Sequence, residues 1–189
     1  MSRKFDPKNL DVLLSTQRAK TLDALRVISL VPIRPYHVIA DIGCGPGYFS
    51  VPLGKSVFDG KVYAVDVQQE MLDATKQELE KVRLTNVEPV LSPEESIPLD
   101  DDSLDGAFSA FVVHEADDPK GMLKETLRCL RRGGWLALLE WHKRKMDEGP
   151  PVKERIDEAK LRDMAMAVGF RFTSRHGLNQ NQYMLLMRK

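Results

Sequence analysis

The stretch Val38-Ile39-Ala40-Asp41-Ile42-Gly43-Cys44-Gly45-Pro46-Gly47-Tyr48-Phe49-Ser50 decides the fold of this chain. An apolar, β-branched run that contains an acidic residue near its end is typical of a buried parallel strand. Three glycines within five residues indicate a tight turn. Such a turn between a strand and a helix leaves backbone N–H groups at the helix start, and the absent Cβ atoms allow a ligand to approach. We therefore expect the turn to bind a ligand.

The composition limits the classes of protein to which the chain can belong. Its 189 residues, 42% hydrophobic and 30% charged, fit a single domain over 1–189. Cys44 and Cys129, the only cysteines, exclude a disulfide framework or a four-thiolate metal site and favour the cytoplasm. Lys plus Arg equals Asp plus Glu at 28 each, which favours no nucleic-acid partner. No signal peptide or membrane span is expected, because no apolar run approaches about 20 residues.

Hydrophobic periodicity predicts strands and helices that alternate along the chain. The expected helices comprise two N-terminal ones, beginning at Asp6-Pro7 and at Thr16, one over 48–56, one over 69–82, one that begins after Asp118 and ends at Gly133-Gly134, and one that ends at Gly169. The expected strands are the central one and those over 61–66, 87–91, 104–113, 135–141, 170–175 and 183–188. The last two are joined by too few residues for a crossover, so they form an antiparallel hairpin.

These elements predict an α/β fold with a doubly wound, mostly parallel seven-stranded sheet that helices cover on both faces. Residues 1–35 supply the N-terminal helices, residues 36–141 form the ligand-binding core, and residues 142–189 form the C-terminal helix and the antiparallel hairpin. In such a sheet the ligand crevice lies at the carboxyl ends of the strands, where the strand order reverses. The glycine-rich turn is therefore expected in the crevice.

The spacing of glycines and acids indicates which ligand the crevice holds. A dinucleotide site requires G-x-G-x-x-G, whereas Gly43, Gly45 and Gly47 give G-x-G-x-G, and no P-loop pattern is present. Asp41 would repel a diphosphate but suits an ammonium group. Asp66 ends the second strand, 19 residues after Gly47, where a carboxylate can accept hydrogen bonds from both ribose hydroxyls. A nucleoside with an amino-acid tail fits both acids.

These residues resemble the motifs of the class I S-adenosylmethionine-dependent methyltransferases, which have a Rossmann-like sheet. The subgroup with the most similar spacing includes the ubiquinone and menaquinone biosynthesis methyltransferases. The motifs that resemble the family occur in its order over roughly residues 36–141: the first strand and turn (38–47), the acidic second strand (62–66), the fourth-strand segment (105–115), and Leu130-Arg131-Arg132-Gly133-Gly134-Trp135-Leu136 before the fifth strand.

The resemblance implies a role for each of several residues. Asp41 and the backbone of the turn, Gly43, Gly45 and Gly47 with Cys44 as a small space-filling residue, would hold the methionine portion of S-adenosylmethionine. Asp66 would hold the ribose, Val67 and Met71 would flank the adenine, and Ser109 and Ala110 would line the sulfonium end. Pro93 stands where the family often has an adenine-binding Asp, and Glu94 is the candidate substitute.

His114 follows the fourth strand at the same edge of the sheet and is the candidate catalytic residue. An imidazole there can take a proton from a substrate hydroxyl or carbon acid, or it can simply line the pocket. A base is not compulsory, because methyl transfer can proceed by alignment alone. Trp141 either shapes an apolar substrate cavity or is a buried aromatic, and His37 and His176 are expected to be structural.

The predicted function is transfer of a methyl group from S-adenosylmethionine to a small-molecule acceptor by direct displacement, without a metal ion. The alternatives are a non-catalytic protein that binds S-adenosylmethionine and a nicotinamide-dependent oxidoreductase. The missing glycine at Tyr48 counts against the oxidoreductase. Neither the acceptor nor the oligomeric state is legible in the sequence.

Overall fold

The computed structural model describes residues 21–189. The expected helix at Asp6-Pro7 lies outside the described residues, as does the start of the one expected from Thr16. The described end of the latter is α1, Ala24–Ser29. Asp23 caps α1, since its side chain accepts hydrogen bonds from the backbone N–H groups of Leu25 and Arg26.

The remaining elements alternate as the sequence predicts. The strands of the described region are β1 (Val38–Ile42), β2 (Lys61–Asp66), β3 (Val87–Leu91), β4 (Leu104–Ala110), β5 (Leu130–Trp141), β6 (Arg171–Gly177) and β7 (Gln182–Arg188). The further helices are α2 (Ser50–Ser56), α3 (Gln69–Lys81), α4 (Pro119–Cys129) and α5 (Glu158–Val168). Within this region no helix combines the length and apolar character needed to cross a bilayer.

The strands form one seven-stranded sheet in the order β3-β2-β1-β4-β5-β7-β6. Strands β1 to β5 run parallel, and β7 pairs antiparallel with both β5 and β6. The predicted doubly wound sheet with a C-terminal antiparallel hairpin is therefore confirmed. Strand order reverses between β1 and β4, so the carboxyl ends of these two strands form the crevice.

Two apolar layers cover the sheet, one on each face. Helices α1, α2 and α3 pack on one face, for example Leu53 and Leu72 against Phe108 in the sheet. Helices α4 and α5 pack on the other, where Leu123 and Leu161 belong to the same buried cluster as inward-facing residues of the central strands. Because both faces of the central strands are buried, β1, β4 and β5 are largely apolar, whereas the edge strand β6 is mostly exposed and polar.

Strand β4 is shorter than the sequence predicts. It ends at Ala110 rather than at residue 113, because Phe111 adopts a positive φ of 65° that no strand accommodates. The backbone N–H of Phe111 still donates to the carbonyl of Leu139 at 2.9 Å. The chain then leaves the sheet and turns across the end of β5, bringing His114 to the crevice.

The boundary between α4 and β5 also differs from the prediction. Helix α4 ends at Cys129, not at Gly133-Gly134, and β5 begins at Leu130. The register between β4 and β5 shifts, since Leu104 pairs with Leu130 while Gly106 pairs with Trp135. The glycines therefore lie in an irregular part of the strand, where Gly133 has a φ of +80°.

Candidate functional site

A cavity of about 660 Å³ opens at the carboxyl ends of the central parallel strands. It brings together nearly all the residues predicted as site residues: Asp41, Gly43, Cys44, Gly45, Asp66, Val67, Met71, Glu94, Ala110 and His114. Gly47 and Ser109 do not line it. The strand ends, the glycine-rich turn and the family resemblance therefore predicted many of the residues that line this cavity.

The glycine-rich turn has the backbone conformation that only glycine adopts readily. Gly43 has a φ of +69°, and a Cβ there would lie 2.3 Å from the side chain of Val112. Gly47, with a φ of +88°, packs against Thr75 of α3 instead of facing the cavity. Gly43 thus allows the turn to pass beneath the segment after β4, and Gly47 allows α3 to approach.

Four backbone N–H groups of the turn, those of Gly43, Cys44, Gly45 and Gly47, are hydrogen-bonded within the fold. The N–H groups of Gly43 and Cys44 both donate to the carbonyl of Val65, at 2.8 and 3.0 Å. The N–H of Gly45 donates to Oδ2 of Asp66 at 2.8 Å, and that of Gly47 donates to the carbonyl of Cys44. These internal bonds occupy four donors of the turn, so these four groups are not available to a diphosphate.

Two buried carboxylates line the cavity at the ends of neighbouring strands. Asp41, 2% exposed, accepts a hydrogen bond from the Ser50 hydroxyl at 2.6 Å. Asp66, 8% exposed, accepts from the backbone N–H groups of Gly45 at 2.8 Å and Gln68 at 3.0 Å. A carboxylate has about four acceptor sites, and both groups suit ligands that donate hydrogen bonds.

The Cys44 thiol is not a reactive group. Burial raises the pKa of Cys44 well above its ordinary value, and the nearby charges of Asp41 and Asp66 raise it further. Because the thiolate is the nucleophilic form, the side chain acts as a small apolar filler in the turn, next to Thr75.

The wall that follows β2 and β3 is largely apolar. Val67 and Met71 lie on it together with Pro93 and Ile97. Glu94 also lies there, and its Oε1 accepts a hydrogen bond from the backbone N–H of Asp117. Among residues 21–189, no group of three His, Cys, Asp or Glu side chains is arranged to hold a metal ion.

Ser109 lies inside the sheet and not at the sulfonium end of the cavity. Its side chain is 1% exposed, and its hydroxyl oxygen has no hydrogen-bond partner among the described residues. Adjacent residues of a strand point to opposite sides, and only the next residue, Ala110, reaches the cavity. The family resemblance had implied that both residues line the sulfonium end.

His114 is hydrogen-bonded to a buried glutamate. Its Nδ1 lies 2.8 Å from Oε2 and 3.1 Å from Oε1 of Glu140, whose side chain is fully buried. Two backbone N–H groups, of His114 at 3.2 Å and of Trp141 at 3.3 Å, also donate to this carboxylate. Its signal in the sequence is a glutamate that directly follows Leu136-Ala137-Leu138-Leu139. The sequence pattern did not predict this contact.

The surroundings of His114 change its basicity in opposing directions. Burial lowers the pKa of His114, but the hydrogen bond and the charge of Glu140 raise it more, with a smaller contribution from Glu115. The net effect is a pKa above the ordinary histidine value of 6.5. The ring is therefore a stronger base than an ordinary histidine, which suits proton transfer.

Aromatic residues form the wall beside His114. The ring centroids of Phe111 and Trp141 are 5.1 Å apart, with the planes inclined by 38°, and both residues line the cavity. Gly149 packs so closely on Trp141 that a Cβ there would lie 2.8 Å from the indole ring. The sequence allowed a cavity role for Trp141 but missed Phe111 and Gly149. The φ of Phe111 and the contact of Gly149 both depend on the tertiary fold.

Arg155 fixes the loop that carries Gly149 and Pro150. It is 3% exposed. Its guanidinium donates to four backbone carbonyls of the loop: Pro150 at 2.7 Å, His142 at 3.2 Å, Arg144 at 3.0 Å and Glu148 at 2.7 Å. The guanidinium carbon also lies 5.8 Å from the centroid of the Trp141 ring. A single cation thus holds one side of the cavity.

Comparison with known proteins agrees with this geometry. Residues 40–138 match the family model described as a methyltransferase domain. A solved structure of an S-adenosylmethionine-dependent methyltransferase from Aquifex aeolicus is 31% identical, with a TM-score of 0.94 over 98% of this chain and 99% of that one. The chain therefore belongs to the methyltransferase family, within the class I enzymes that depend on S-adenosylmethionine.

Two curated relatives are similar over part of their length. A demethylmenaquinone methyltransferase of Bacillus mycoides is 28% identical over 141 residues, which are 74% of this chain and 58% of that protein. An uncharacterized 37.1 kDa transposon protein of Streptomyces fradiae is 33% identical over 132 residues, 69% of this chain and 37% of that protein. The chain thus spans less than two thirds of the length of these relatives.

Proposed function

We propose that this chain transfers a methyl group from S-adenosylmethionine to a small-molecule acceptor by direct displacement. The observation that carries the proposal is the pair of buried carboxylates, Asp41 and Asp66, at the ends of adjacent parallel strands in one cavity. The inward-bonded turn beside them supports the same ligand, since it offers no set of N–H donors to a diphosphate. A nicotinamide dinucleotide therefore fits this turn poorly.

The donors and acceptors of the cavity fit S-adenosylmethionine. Asp41 would hold the ammonium group, with Gly43 and Gly45 beneath the methionine portion, and Asp66 would accept from the ribose hydroxyls. Val67 and Met71 would flank the adenine, which is planar and apolar on its faces. The role of Glu94 at the adenine edge is part of the proposal.

The cofactor supplies a sulfonium methyl group, whose bond to sulfur breaks as an acceptor lone pair bonds to the carbon. The protein's contribution is then alignment, exclusion of water and removal of a proton from the acceptor. Ala110, the last residue of β4, and Phe111, which follows it, line the cavity together with His114. His114 is the candidate proton acceptor.

The size of the cavity supports a small acceptor. Its 660 Å³ lies within the roughly 300–1,000 Å³ that is usual for small-molecule sites. The name of the Bacillus relative, a demethylmenaquinone methyltransferase, also indicates a small molecule. A single domain, a cytoplasmic site of action and the absence of a nucleic-acid partner are parts of this proposal.

Titration calorimetry tests the cofactor assignment. Purified protein is titrated with S-adenosylmethionine, with S-adenosylhomocysteine and with NAD. Binding of the first two, with none of NAD, is the expected result. Binding of NAD alone would favour the oxidoreductase. Binding of S-adenosylmethionine without incorporation of labelled methyl into any small-molecule fraction would favour the non-catalytic alternative.

A ligand analogue tests the role of Asp66 without relying on one variant. Hydrogen bonds to a charged group contribute about 1.5–3 kcal/mol, so the protein should prefer S-adenosylhomocysteine over its 2′-deoxy analogue by about 10- to 100-fold. The preference should shrink in Asp66→Asn and persist in Glu88→Gln, since Glu88 lies on edge strand β3 and pairs with Lys61. If Asp66→Asn kept the full preference for S-adenosylhomocysteine over its 2′-deoxy analogue, the ribose assignment would be refuted.

A further inference from the structure

We propose that Glu140 positions His114 as a general base, and that the acceptor is therefore a weakly acidic hydroxyl on a flat, apolar molecule, of the phenol or enol class. This inference rests on the proposed function and deepens it. It is carried by a hydrogen-bonded pair that spans two adjacent strand ends, by the cavity that this pair faces, and by the aromatic wall beside it.

Glu140 determines which nitrogen of His114 carries the proton. A carboxylate only accepts hydrogen bonds, so Nδ1, 2.8 Å from Glu140 Oε2, is the protonated nitrogen of the neutral ring. The lone pair is then on Nε2. That atom hydrogen-bonds to no described residue, and the Glu115 carboxylate oxygen near it is 3.8 Å away. His114 thus presents an acceptor to the cavity that it lines.

Glu140 places a buried carboxylate beside the His114 ring. Burying a charge is costly unless hydrogen bonds compensate it. Here the compensation comes from the imidazole and from the backbone N–H groups of His114 and Trp141, with no Lys or Arg among the hydrogen-bond partners of Glu140. A gain of positive charge on the ring is therefore stabilised where it occurs. A carboxylate in this position favours a ring that accepts a proton during the reaction.

A base acts on an acceptor that has a proton to lose. A neutral hydroxyl is a poor nucleophile until its proton leaves, whereas a tertiary amine, a thioether or a pyridine-type nitrogen has no proton to lose. As the oxygen lone pair bonds to the methyl carbon, the electron pair of the C–S bond remains on sulfur, and the hydroxyl proton moves to Nε2. His114 becomes an imidazolium with its Nδ1–H still on Glu140, and the proton later passes to water.

The aromatic wall beside His114 indicates the shape of the acceptor. Phe111 and Trp141 present two rings beside His114, and Trp141 is fixed between Gly149 and the Arg155 guanidinium. Phe111 holds its place at a φ of +65°, a conformation that costs a non-glycine residue about 1–2 kcal/mol. Strain retained in a cavity wall indicates a functional constraint. Aromatic rings favour flat apolar partners, which agrees with a phenol or an enol.

Nitrogen NMR of the histidine rings tests the pair without any acceptor. Signals of His114 are assigned by their loss in His114→Asn, and the tautomer is then measured in the unaltered protein. The Nδ1–H tautomer and a pKa above 6.5 are expected. The opposite tautomer would overturn the inference, and this measurement stands even where an altered protein fails to fold.

The charge of Glu140 is tested by Glu140→Gln, with Glu88→Gln as the matched control. The groups that act on His114 are Glu140 from β5, Glu115 beside it and Arg155 from the segment before α5. Removing the Glu140 charge leaves burial and Arg155, which lower the pKa, against the smaller effect of Glu115, which raises it. The His114 pKa should therefore fall by about one unit or more and stay unchanged in Glu88→Gln. An unchanged pKa in Glu140→Gln would overturn the role of Glu140.

Activity with defined probes tests the acceptor class. Labelled methyl transfer is measured with 2-naphthol, catechol and 4-hydroxycoumarin as acidic hydroxyls, with decahydro-2-naphthol as a non-acidic one, and with quinoline, which has no proton to lose. Transfer to an acidic hydroxyl is expected, with a rate that falls about 100-fold or more in His114→Asn. The acidic limb of its pH profile should move to lower pH in Glu140→Gln.

The outcomes separate this inference from the proposed function. A protein that fails to bind S-adenosylmethionine in calorimetry refutes the proposed function. A protein that binds it but methylates none of the acidic hydroxyls, or methylates quinoline or decahydro-2-naphthol at least as fast, refutes the acceptor class alone. A His114→Asn variant with full activity and an unchanged pH profile removes the base.

Discussion

We call the part of the cavity lined by Phe111, His114, Trp141 and the loop over 142–150 the acceptor side. Replacing Arg155 by Met should open this side while leaving the core of the protein folded. Methionine keeps most of the buried stem of the side chain but removes every N–H group. The loop then loses four hydrogen bonds from a charged donor, at 2.7 to 3.2 Å, to the carbonyls of residues 142, 144, 148 and 150.

The size of the effect follows from the burial of Arg155. Hydrogen bonds from a charged group contribute about 1.5–3 kcal/mol each, but the sum of four is only an upper limit. The guanidinium is 3% exposed, so its removal also recovers a desolvation cost of several kcal/mol. Arg144 and Glu148 lie on the surface, where their carbonyls can turn to water. We expect a net loss of about 2–4 kcal/mol for the closed loop.

Hydrogen exchange measures this loss directly. The amides of His142 and Arg144, which donate to Asn181 and His142 carbonyls, should exchange about 30- to 700-fold faster in Arg155→Met, since each 1.4 kcal/mol corresponds to a factor of ten. Labelled methyl transfer should fall, whereas binding of S-adenosylmethionine should change little because Asp41 and Asp66 belong to β1 and β2 and not to this loop.

Two further variants make the result specific to the four carbonyl contacts. Arg155→Lys keeps the charge but lacks the planar fork, so it should recover only part of the protection. Arg162→Met removes a guanidinium that lies over Phe172 on the surface of α5, and it should change neither exchange nor activity. Unchanged exchange of His142 and Arg144 in Arg155→Met would refute the role of Arg155.

Three other predictions concern stability. Gly106→Ala should lower the unfolding free energy by about 2 kcal/mol or more, because its Cβ would lie 2.0 Å from the Trp135 ring; thermal unfolding measures it, with the edge-strand variant Gly177→Ala as control. Cys44 should resist alkylation in the folded protein, and its contribution to stability should be complete below its ordinary pKa of 9.0 and lost as pH rises above it, since burial raises the folded pKa. Glu125→Gln should destabilise the protein by about 1–2 kcal/mol at pH 7 and much less at pH 3. The bidentate contact with Arg128 lowers the Glu125 pKa, so its contribution disappears as the carboxyl is protonated.

The sheet and the cofactor side of the cavity could be predicted because they depend on local patterns. Parallel strands place their carboxyl ends at one edge, so the acids at positions 41 and 66 had to meet once the strands were identified. The register confirms this, since Asp41 pairs with Ala64 and Ile42 with Val65, one residue before Asp66. No contact outside this strand pair was needed for that inference.

The acceptor side depends on contacts that a sequence pattern does not contain. His114 and Glu140 are 26 residues apart, and their contact requires the early end of β4 at a positive φ in Phe111. A single arginine such as Arg155 looks like an ordinary surface charge until its four carbonyl partners are known. The hydrogen bonds of the Gly43 and Cys44 N–H groups were missed for the same reason, because their acceptor, Val65, belongs to another strand.

The two walls of the cavity therefore have different physical origins. Substitutions in the two walls should for this reason have different effects. The wall that contains Asp41 and Asp66 is fixed by strand ends and by a turn in which the N–H groups of Gly43, Cys44, Gly45 and Gly47 are bonded within the fold, so alterations there disturb the sheet itself. The acceptor wall is a loop held by one guanidinium and a base held by one carboxylate. Substitutions at Phe111, Trp141 or Gly149 can therefore alter which acceptor fits while Asp41 and Asp66 keep their places. If acceptor preference changes through the loop alone, relatives with the same turn and the same strand acids should differ mainly in the residues equivalent to 142–150.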